Sequence, residues 1–142
     1  MRKQFSQKLH DENDKIGRRA VKDLYKALGY SVADNSDIYG IDLFIKKDNR
    51  IIAVEVDHKA GWIEPYFVFQ SVIVTDRKTK FLEAGCLHAV VNKPCEIILV
   101  ARSEMILLSQ KKENRNKYVP KGEMVYYVPI DKWTEYKKGK DY

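Results

Sequence analysis

Apolar residues recur at three- and four-residue steps in one early segment, as Ile16, Ala20, Leu24 and Leu28. That spacing places them on one face and predicts an amphipathic α-helix. Gly29 follows the last apolar turn, and glycine is common directly after a helix because it adopts the left-handed conformation easily. Acidic residues between positions 11 and 14 suit the start of a helix. The pattern therefore predicts a helix that starts near residue 14 and ends near residue 28.

Short apolar runs separated by turn residues dominate the rest of the chain. They predict strands at 30–33, 71–75, 87–91, 97–100 and 125–128, and a second helix over 77–84. The runs 87–91 and 97–100 are expected to pair across a turn that contains Pro94. Residues 105–108 fit a short helix or a strand, 110–117 fit a polar loop, and the last residues are expected to fray. This order is typical of an α+β protein with a mixed sheet.

The stretch from Asp42 to Lys59 carries the most informative pattern. Two extended segments, 43–45 and 51–54, flank a polar turn and predict a hairpin. Side chains alternate along a strand, so Glu55, Asp57 and Lys59 project on one side, and the hairpin register can bring Asp42 close to them. Carboxylates that share a small volume repel one another, and a divalent cation would relieve that repulsion. Hard oxygen ligands suit Mg²⁺ or Mn²⁺.

Glu55 interrupts a nearly continuous apolar run, 51–56. Such a run suits a strand that is covered on both faces, where a carboxylate is costly without a partner. This favours a functional site over solvated strand residues for Asp42 and Glu55. His58 has the opposite parity to Glu55 and is expected in an exposed loop. His88 lies in an apolar run and is expected to be a core histidine with satisfied hydrogen bonds.

Composition and charge indicate the class of binding partner. The chain has 142 residues, which suits one domain, and 44% of them are hydrophobic, which supports a core. The net charge of +6 favours a polyanionic partner such as nucleic acid. No apolar stretch matches a signal peptide or a membrane span, so we expect a soluble, cytoplasmic protein with no membrane partner. No Gly-rich phosphate loop, Ser/His/Asp arrangement or zinc spacing indicates another enzyme class.

The order helix, hairpin bearing Asp then Glu, helix and strand resembles the PD-(D/E)XK nuclease superfamily, which includes restriction endonucleases and Holliday junction resolvases. The resemblance covers residues 12–101, with 16–30 as the first core helix, Asp42 as the family's aspartate and Glu55 as its second carboxylate. It implies a restriction endonuclease-like core with a mixed central sheet flanked by helices. Residues 1–142 would form a single domain, in which 102–142 are a C-terminal extension that completes the sheet.

The same resemblance implies an activity. The protein would be a Mg²⁺- or Mn²⁺-dependent endonuclease that hydrolyses DNA phosphodiester bonds, with branched, recombination or repair substrates among the candidates. Asp42, Glu55 and Asp57 would hold the metal, and Lys59 would orient the attacking water or stabilise the phosphorus. Small members of the superfamily often pair to cut both strands, so a homodimer is expected.

One position departs from the simplest family pattern, because Asp57 stands where a lysine is usual. The motif can be read one step later, as Asp57-His58-Lys59. Alternatively, Glu55 and Asp57 both bind metal, and Lys59 or a lysine elsewhere, such as Lys78, supplies the positive charge. A further alternative is a catalytically inactive nucleic-acid-binding module that keeps the nuclease-like fold.

Other residues are candidates for supporting roles. The family's helix glutamate has no clear counterpart, although Glu12 or Asp14 can act from just before the helix. Two basic segments are candidates for DNA phosphate contacts or are simply solvated: Arg77, Lys78 and Lys80, and Lys111, Lys112, Arg115 and Lys117. An aromatic cluster suits core or dimer packing, or stacking on an unpaired base: Trp62, Tyr66, Phe67 and Phe69.

Overall fold

The computed structural model describes residues 7–35, 40–114 and 122–142, with the side chains of 7–13 outside that description. Three α-helices and nine strands follow one another in the described chain. In sequence order they are α1 Gln7–Ala27, β1 Ser31–Asp34, β2 Leu43–Lys47, β3 Arg50–Lys59, β4 Ser71–Thr75, α2 Thr79–Glu83, β5 Leu87–Asn92, β6 Ile97–Arg102, α3 Ser103–Leu107, β7 Gln110–Asn114, β8 Glu123–Pro129 and β9 Thr134–Lys137. Two 3₁₀ turns, Asp76–Lys78 and Ile130–Lys132, precede α2 and β9.

The central sheet contains six strands in the order β1-β2-β3-β5-β6-β9. Its neighbours are antiparallel, except that β3 and β5 run parallel. A smaller antiparallel sheet has the order β4-β8-β7. The predicted α+β class with a mixed sheet is therefore confirmed. β9 extends the central sheet, whereas β7 and β8 belong to the smaller one.

The hairpin between β2 and β3 follows directly from its turn residues. Asp48 and Asn49 have φ angles of 51° and 66°. A two-residue turn with both central residues in the left-handed region matches the twist of the flanking strands, and Asp and Asn tolerate that region well. The turn sets a register in which Lys47 pairs with Arg50 and Leu43 pairs with Val54.

Two apolar cores lie on opposite faces of the central sheet. On one face, α1 packs Val21 and Leu24 against sheet residues such as Val54. On the other face, the smaller sheet and the short helices supply residues such as Val72 and Leu82. The layers are therefore α1, the central sheet, and the smaller sheet with α2 and α3. β3 is covered on both faces, as its apolar run predicts.

Helix α1 approaches β3 closely because it carries a glycine at the contact. A Cβ atom on Gly17 would lie 2.6 Å from the Cβ of His58. The helix ends as expected: Gly29 has a φ of 91°, and the amide of Tyr30 donates to the carbonyl of Tyr25. The absence of a side chain at Gly17 thus sets the distance between the helix and the strand that carries Glu55.

Several local expectations are wrong. Helix α1 begins at Gln7, so Glu12 and Asp14 lie inside it rather than before it. Residues 110–114 form strand β7 rather than a loop, because they pair with β8. Residues 134–137 form β9 instead of fraying, because they pair with β6. His58 is buried rather than exposed, because β3 continues to Lys59 and packs against α1. Of the two alternatives for residues 105–108, the helix is the correct one for 105–107, which form the end of α3.

Candidate active site

Asp42 lies directly before the first residue of β2, beside Glu55 on the neighbouring strand β3. Since Leu43 pairs with Val54, the residue before Leu43 adjoins the residue after Val54. The Oδ2 atom of Asp42 accepts the backbone N–H of Val56 at 2.8 Å. Nη1 of Arg18, on α1, lies 3.8 Å from Oδ1 of the same carboxylate. The structure therefore brings Asp42 to Glu55, as the hairpin pattern predicts, and holds it there from both the strand and the helix.

Glu55 is the most unusual carboxylate in the described chain. Only 2% of the residue is exposed, and it points towards the layer of the smaller sheet. The Nζ atom of Lys78 lies 2.5 Å from its Oε2 atom, whereas Oε1 is buried and has no hydrogen-bond partner. Burial raises the pKa of Glu55, the attraction of Lys78 opposes that rise, and the neighbouring Asp42 adds to it. One oxygen of Glu55 is thus buried without a hydrogen bond, which is costly.

Asp57 and Lys59 share the face of Glu55, two and four residues further along β3. Their side chains are 35% and 34% exposed, and Lys59 Nζ lies 2.8 Å from Asp57 Oδ2. Burial is the largest influence on Asp57 and acts to raise its pKa, but the charge and hydrogen bond of Lys59 and weaker attractions from neighbouring groups together outweigh it, so the pKa lies below its ordinary value. The site therefore opens towards solvent at Asp57 and Lys59, beyond the buried Glu55.

Lys78 reaches the site from the 3₁₀ turn that precedes α2. Burial acts to lower the pKa of Lys78, but Glu55 and Asp42 raise it more, so the ammonium is favoured. The sequence allows two sources of the positive charge, Lys59 or a lysine outside the strand. The structure places a lysine in each of these positions. Lys78 contacts Glu55, and Lys59 contacts Asp57.

His88 also belongs to this face, and sequence reasoning missed it. It lies on β5 in register with Glu55 and is 1% exposed. Its ring packs edge-on against Trp133 with centroids 6.1 Å apart. Burial lowers the pKa of His88 to about 4, so the imidazole is neutral near pH 7. The expectation of a satisfied core histidine is wrong, because neither ring nitrogen has a partner among the described groups.

Of the basic residues predicted to contact DNA, some have a partner within the protein and others lie outside the described residues. Arg77 Nε lies 3.8 Å from Glu123, and Lys111 Nζ lies 2.6 Å from Asp76. The Nζ atom of Lys80 lies 4.8 Å from the centre of the Phe81 ring, and that of Lys112 lies 5.3 Å from the Tyr127 ring. Arg115 and Lys117 lie outside the described residues. The four described side chains are exposed and are not gathered on the site as Lys78 is.

Of the two candidate helix carboxylates, the structure describes the side chain of one. The side chain of Glu12 lies outside the described residues. Asp14 is partly buried and lies one turn before Arg18, so both project from the same side of α1. Because Arg18 contacts Asp42, that side of the helix faces Asp42 and the end of the hairpin opposite its turn.

A metal would fit this site only with ligands from outside the protein. Among the described side chains, no three His, Cys, Asp or Glu residues are arranged to hold a metal ion. Mg²⁺ is commonly bound by one or two carboxylates together with water and substrate phosphate rather than by a complete protein cage. The free Oε1 of Glu55, with Asp42 and Asp57 nearby, offers hard oxygen donors of that kind.

No protein-family model, curated protein or solved structure matches the chain. Among the described helices, none is both long and apolar enough to cross a membrane.

Proposed function

We propose that the protein is a metal-dependent endonuclease that hydrolyses DNA phosphodiester bonds. The observation that carries the proposal is the buried carboxylate of Glu55, with one oxygen on Lys78 and the other without a partner. A buried carboxylate oxygen without a partner is costly, so such groups commonly mark a binding or catalytic site. The adjoining Asp42 and Asp57 make a cation the ligand that best fits the charge.

Each residue has a defined part in this proposal. A bound Mg²⁺ or Mn²⁺ would bind the scissile phosphate and lower the pKa of an attacking water. Glu55 and Asp42 would supply oxygens to the metal, and the Val56 amide and Arg18 fix the direction of Asp42. Lys78 places an ammonium beside these carboxylates, where it opposes negative charge that develops on the phosphate.

DNA is the proposed partner because the net charge of +6 favours a polyanion. We also expect two copies to act together on duplex DNA, since one site cuts one strand at a time. The chemistry proposed for a single site does not depend on how the two copies are arranged. A cytoplasmic location remains an expectation from the sequence.

Cleavage of supercoiled plasmid and of a four-way junction, in Mg²⁺, Mn²⁺ or EDTA, tests the proposal. We expect metal-dependent cutting that Glu55→Gln abolishes, because that change removes the charge and keeps the shape. Glu96→Gln is the matched control, because Glu96 is exposed and lies in the turn between β5 and β6. Full activity of Glu55→Gln, or no cutting under any of these conditions, would overturn the proposal.

Two observations favour a second candidate, a nucleic-acid-binding module without catalysis. Lys78 already neutralises Glu55, and no three metal-binding side chains are grouped in the described part of the chain. Such a module would bind DNA with a steep salt dependence and leave it uncut. Replacing one phosphate-contacting lysine should then reduce the slope of log K against log salt by about 0.7–0.9.

A further inference from the structure

A pocket with a volume of about 720 Å³ lies beside the site, between the end of β3, the loop 60–70 and strands β4 and β8. We call it the aromatic pocket. Its lining is mostly apolar and includes Trp62, Phe67, Phe69 and Tyr127, with Lys59 at its edge. The proposed nuclease chemistry does not use these aromatic residues.

The aromatic rings form a connected row with an open end. Trp62 and Phe67 pack edge to face with centroids 5.2 Å apart, and Phe67 and Phe69 lie 5.9 Å apart. Trp62 is 5% exposed, and its Nε1 donates to the carbonyl of Tyr66 at 2.8 Å. Phe69, by contrast, is 69% exposed. A fixed inner ring and an uncovered outer ring offer a surface on which a planar group can stack.

The charges around the aromatic pocket match a nucleic acid backbone. Lys59, which is paired with Asp57, lines the pocket, and Lys112 lies over the ring of Tyr127, which also lines it. The exposed residue Lys93 is adjacent, because its backbone amide donates to the carbonyl of Trp62. Glu64 is the only acidic residue among the described lining residues. A second copy of this chain would bring like charges to the same rim, whereas a phosphate backbone would be attracted.

The aromatic pocket adjoins the site at Lys59, which belongs to both. Glu55 and Lys59 lie four residues apart on one face of the strand, which is roughly 13 Å at about 3.3 Å per residue. That distance spans a few nucleotides of one DNA strand, so a phosphate at Glu55 and a base in the pocket can belong to the same strand. Base-on-aromatic stacking next to lysines is typical of proteins that bind single-stranded nucleic acid.

We propose that the aromatic pocket binds an unpaired base, and that the substrate is DNA with single-stranded nucleotides a few positions from the scissile phosphate. This inference rests on the proposed nuclease function for its cleavage part. Its binding part stands on the pocket alone. A base inside a duplex cannot enter the pocket without leaving its stack, so duplex DNA without a break or branch binds less tightly.

Binding is measured first, with the full chain in EDTA, against fluorescent oligo-dT and a blunt duplex of equal length. We expect oligo-dT to bind more tightly, and Phe69→Ala to weaken that binding by about fivefold or more while leaving duplex affinity unchanged. Ile51→Ala is the matched control, because Ile51 is 67% exposed, close to the 69% of Phe69, and lies at the hairpin turn. It should change neither affinity.

Cleavage of a junction with a single-stranded arm, compared with a plain duplex, then separates the two proposals. Preference for the unpaired substrate that disappears in Phe69→Ala supports the inference. Equal cutting of both substrates by the wild type would overturn the inference and leave the nuclease proposal intact. Tight, Phe69-dependent binding of oligo-dT with no cutting would overturn the nuclease proposal and leave the binding part of the inference intact. Loss of a dimer in Phe69→Ala with unchanged DNA binding would assign the pocket to contact between copies and overturn the inference.

Discussion

The ammonium of Lys78 lies 2.5 Å from the buried Oε2 atom of Glu55. The two residues are separated by 23 positions in the sequence, and they join the 3₁₀ turn before α2 to the middle of β3. Glu55 is almost fully buried, whereas the side chain of Lys78 is 34% exposed. The pair therefore combines a strongly desolvated anion with a cation that solvent still reaches.

This asymmetry predicts unequal single substitutions and a measurable coupling. Lys78→Met should destabilise the fold more than Glu55→Gln, because it leaves a buried carboxylate without any partner. The double variant should recover part of the loss, with a coupling of about 0.5–3 kcal/mol, towards the lower end because solvent reaches Lys78. Urea unfolding of the four proteins gives the free energies of unfolding. Strict additivity would show that the contact contributes nothing to stability.

The two lysines of the site predict different kinetic losses. Lys78 contacts Glu55, whose second oxygen is free, whereas Lys59 is paired with Asp57 at the exposed end of the site. Lys78→Gln should therefore lower the single-turnover cleavage rate by about 10²–10³-fold, with partial recovery in Lys78→Arg. Lys59→Gln should lower it by a smaller factor. DNA affinity in EDTA serves as the control for binding, and the opposite order of the two losses would identify Lys59 as the main cation.

The buried imidazole of His88 predicts a pH-dependent stability. Its pKa is lowered from 6.5 to about 4 in the folded chain. Between these values the unfolded chain binds more protons, so the free energy of unfolding falls as the pH drops from about 6.5 towards 4. The full effect is roughly 3 kcal/mol.

His88→Phe isolates this contribution, because it keeps a ring and removes both nitrogens. The difference in unfolding free energy between wild type and variant, followed from pH 7 to pH 4 in EDTA, should shift in favour of the variant. Other titrating groups are common to both proteins and largely cancel in the difference. A difference that stays constant with pH would mean that His88 is not desolvated in the folded chain.

The contact between Gly17 and His58 predicts that an added methyl group is harmful. A Cβ at Gly17 would lie 2.6 Å from the Cβ of His58, and both atoms belong to packed elements. Gly17→Ala should therefore destabilise the fold by about 1–3 kcal/mol, although Gly to Ala normally stabilises a helix. Gly61→Ala is the control, because nothing lies within 4 Å of its added Cβ. Thermal unfolding of the two variants checks the contrast.

Much of the fold follows from local patterns. The hairpin and its register depend on Asp48, Asn49 and the alternation along β2 and β3, all of which are close in sequence. The proximity of Asp42 to Glu55 follows from that register. The face shared by Glu55 and Asp57 follows from the period of a strand.

The rest depends on tertiary packing. Lys78 reaches Glu55, and His88 lies in register with it, only because α2 and β5 pack beside β3 after a long connection. Strand β7 carries the sequence Gln-Lys-Lys-Glu-Asn, whose polar character indicates a loop until β8 supplies its hydrogen-bond partners. Polar residues at a sheet edge give no periodic signal, so sequence alone leaves them unassigned.

Alternate positions of β3 belong to separate environments. Val54 and His58 face α1, and Glu55, Asp57 and Lys59 face the opposite layer. Under the proposed function, selection for folding and selection for chemistry would act on different residues of one strand. On that basis, a lineage that replaced Glu55 and Lys78 together by uncharged residues could keep its helix-facing residues and its architecture, and so give up the proposed chemistry without giving up the fold.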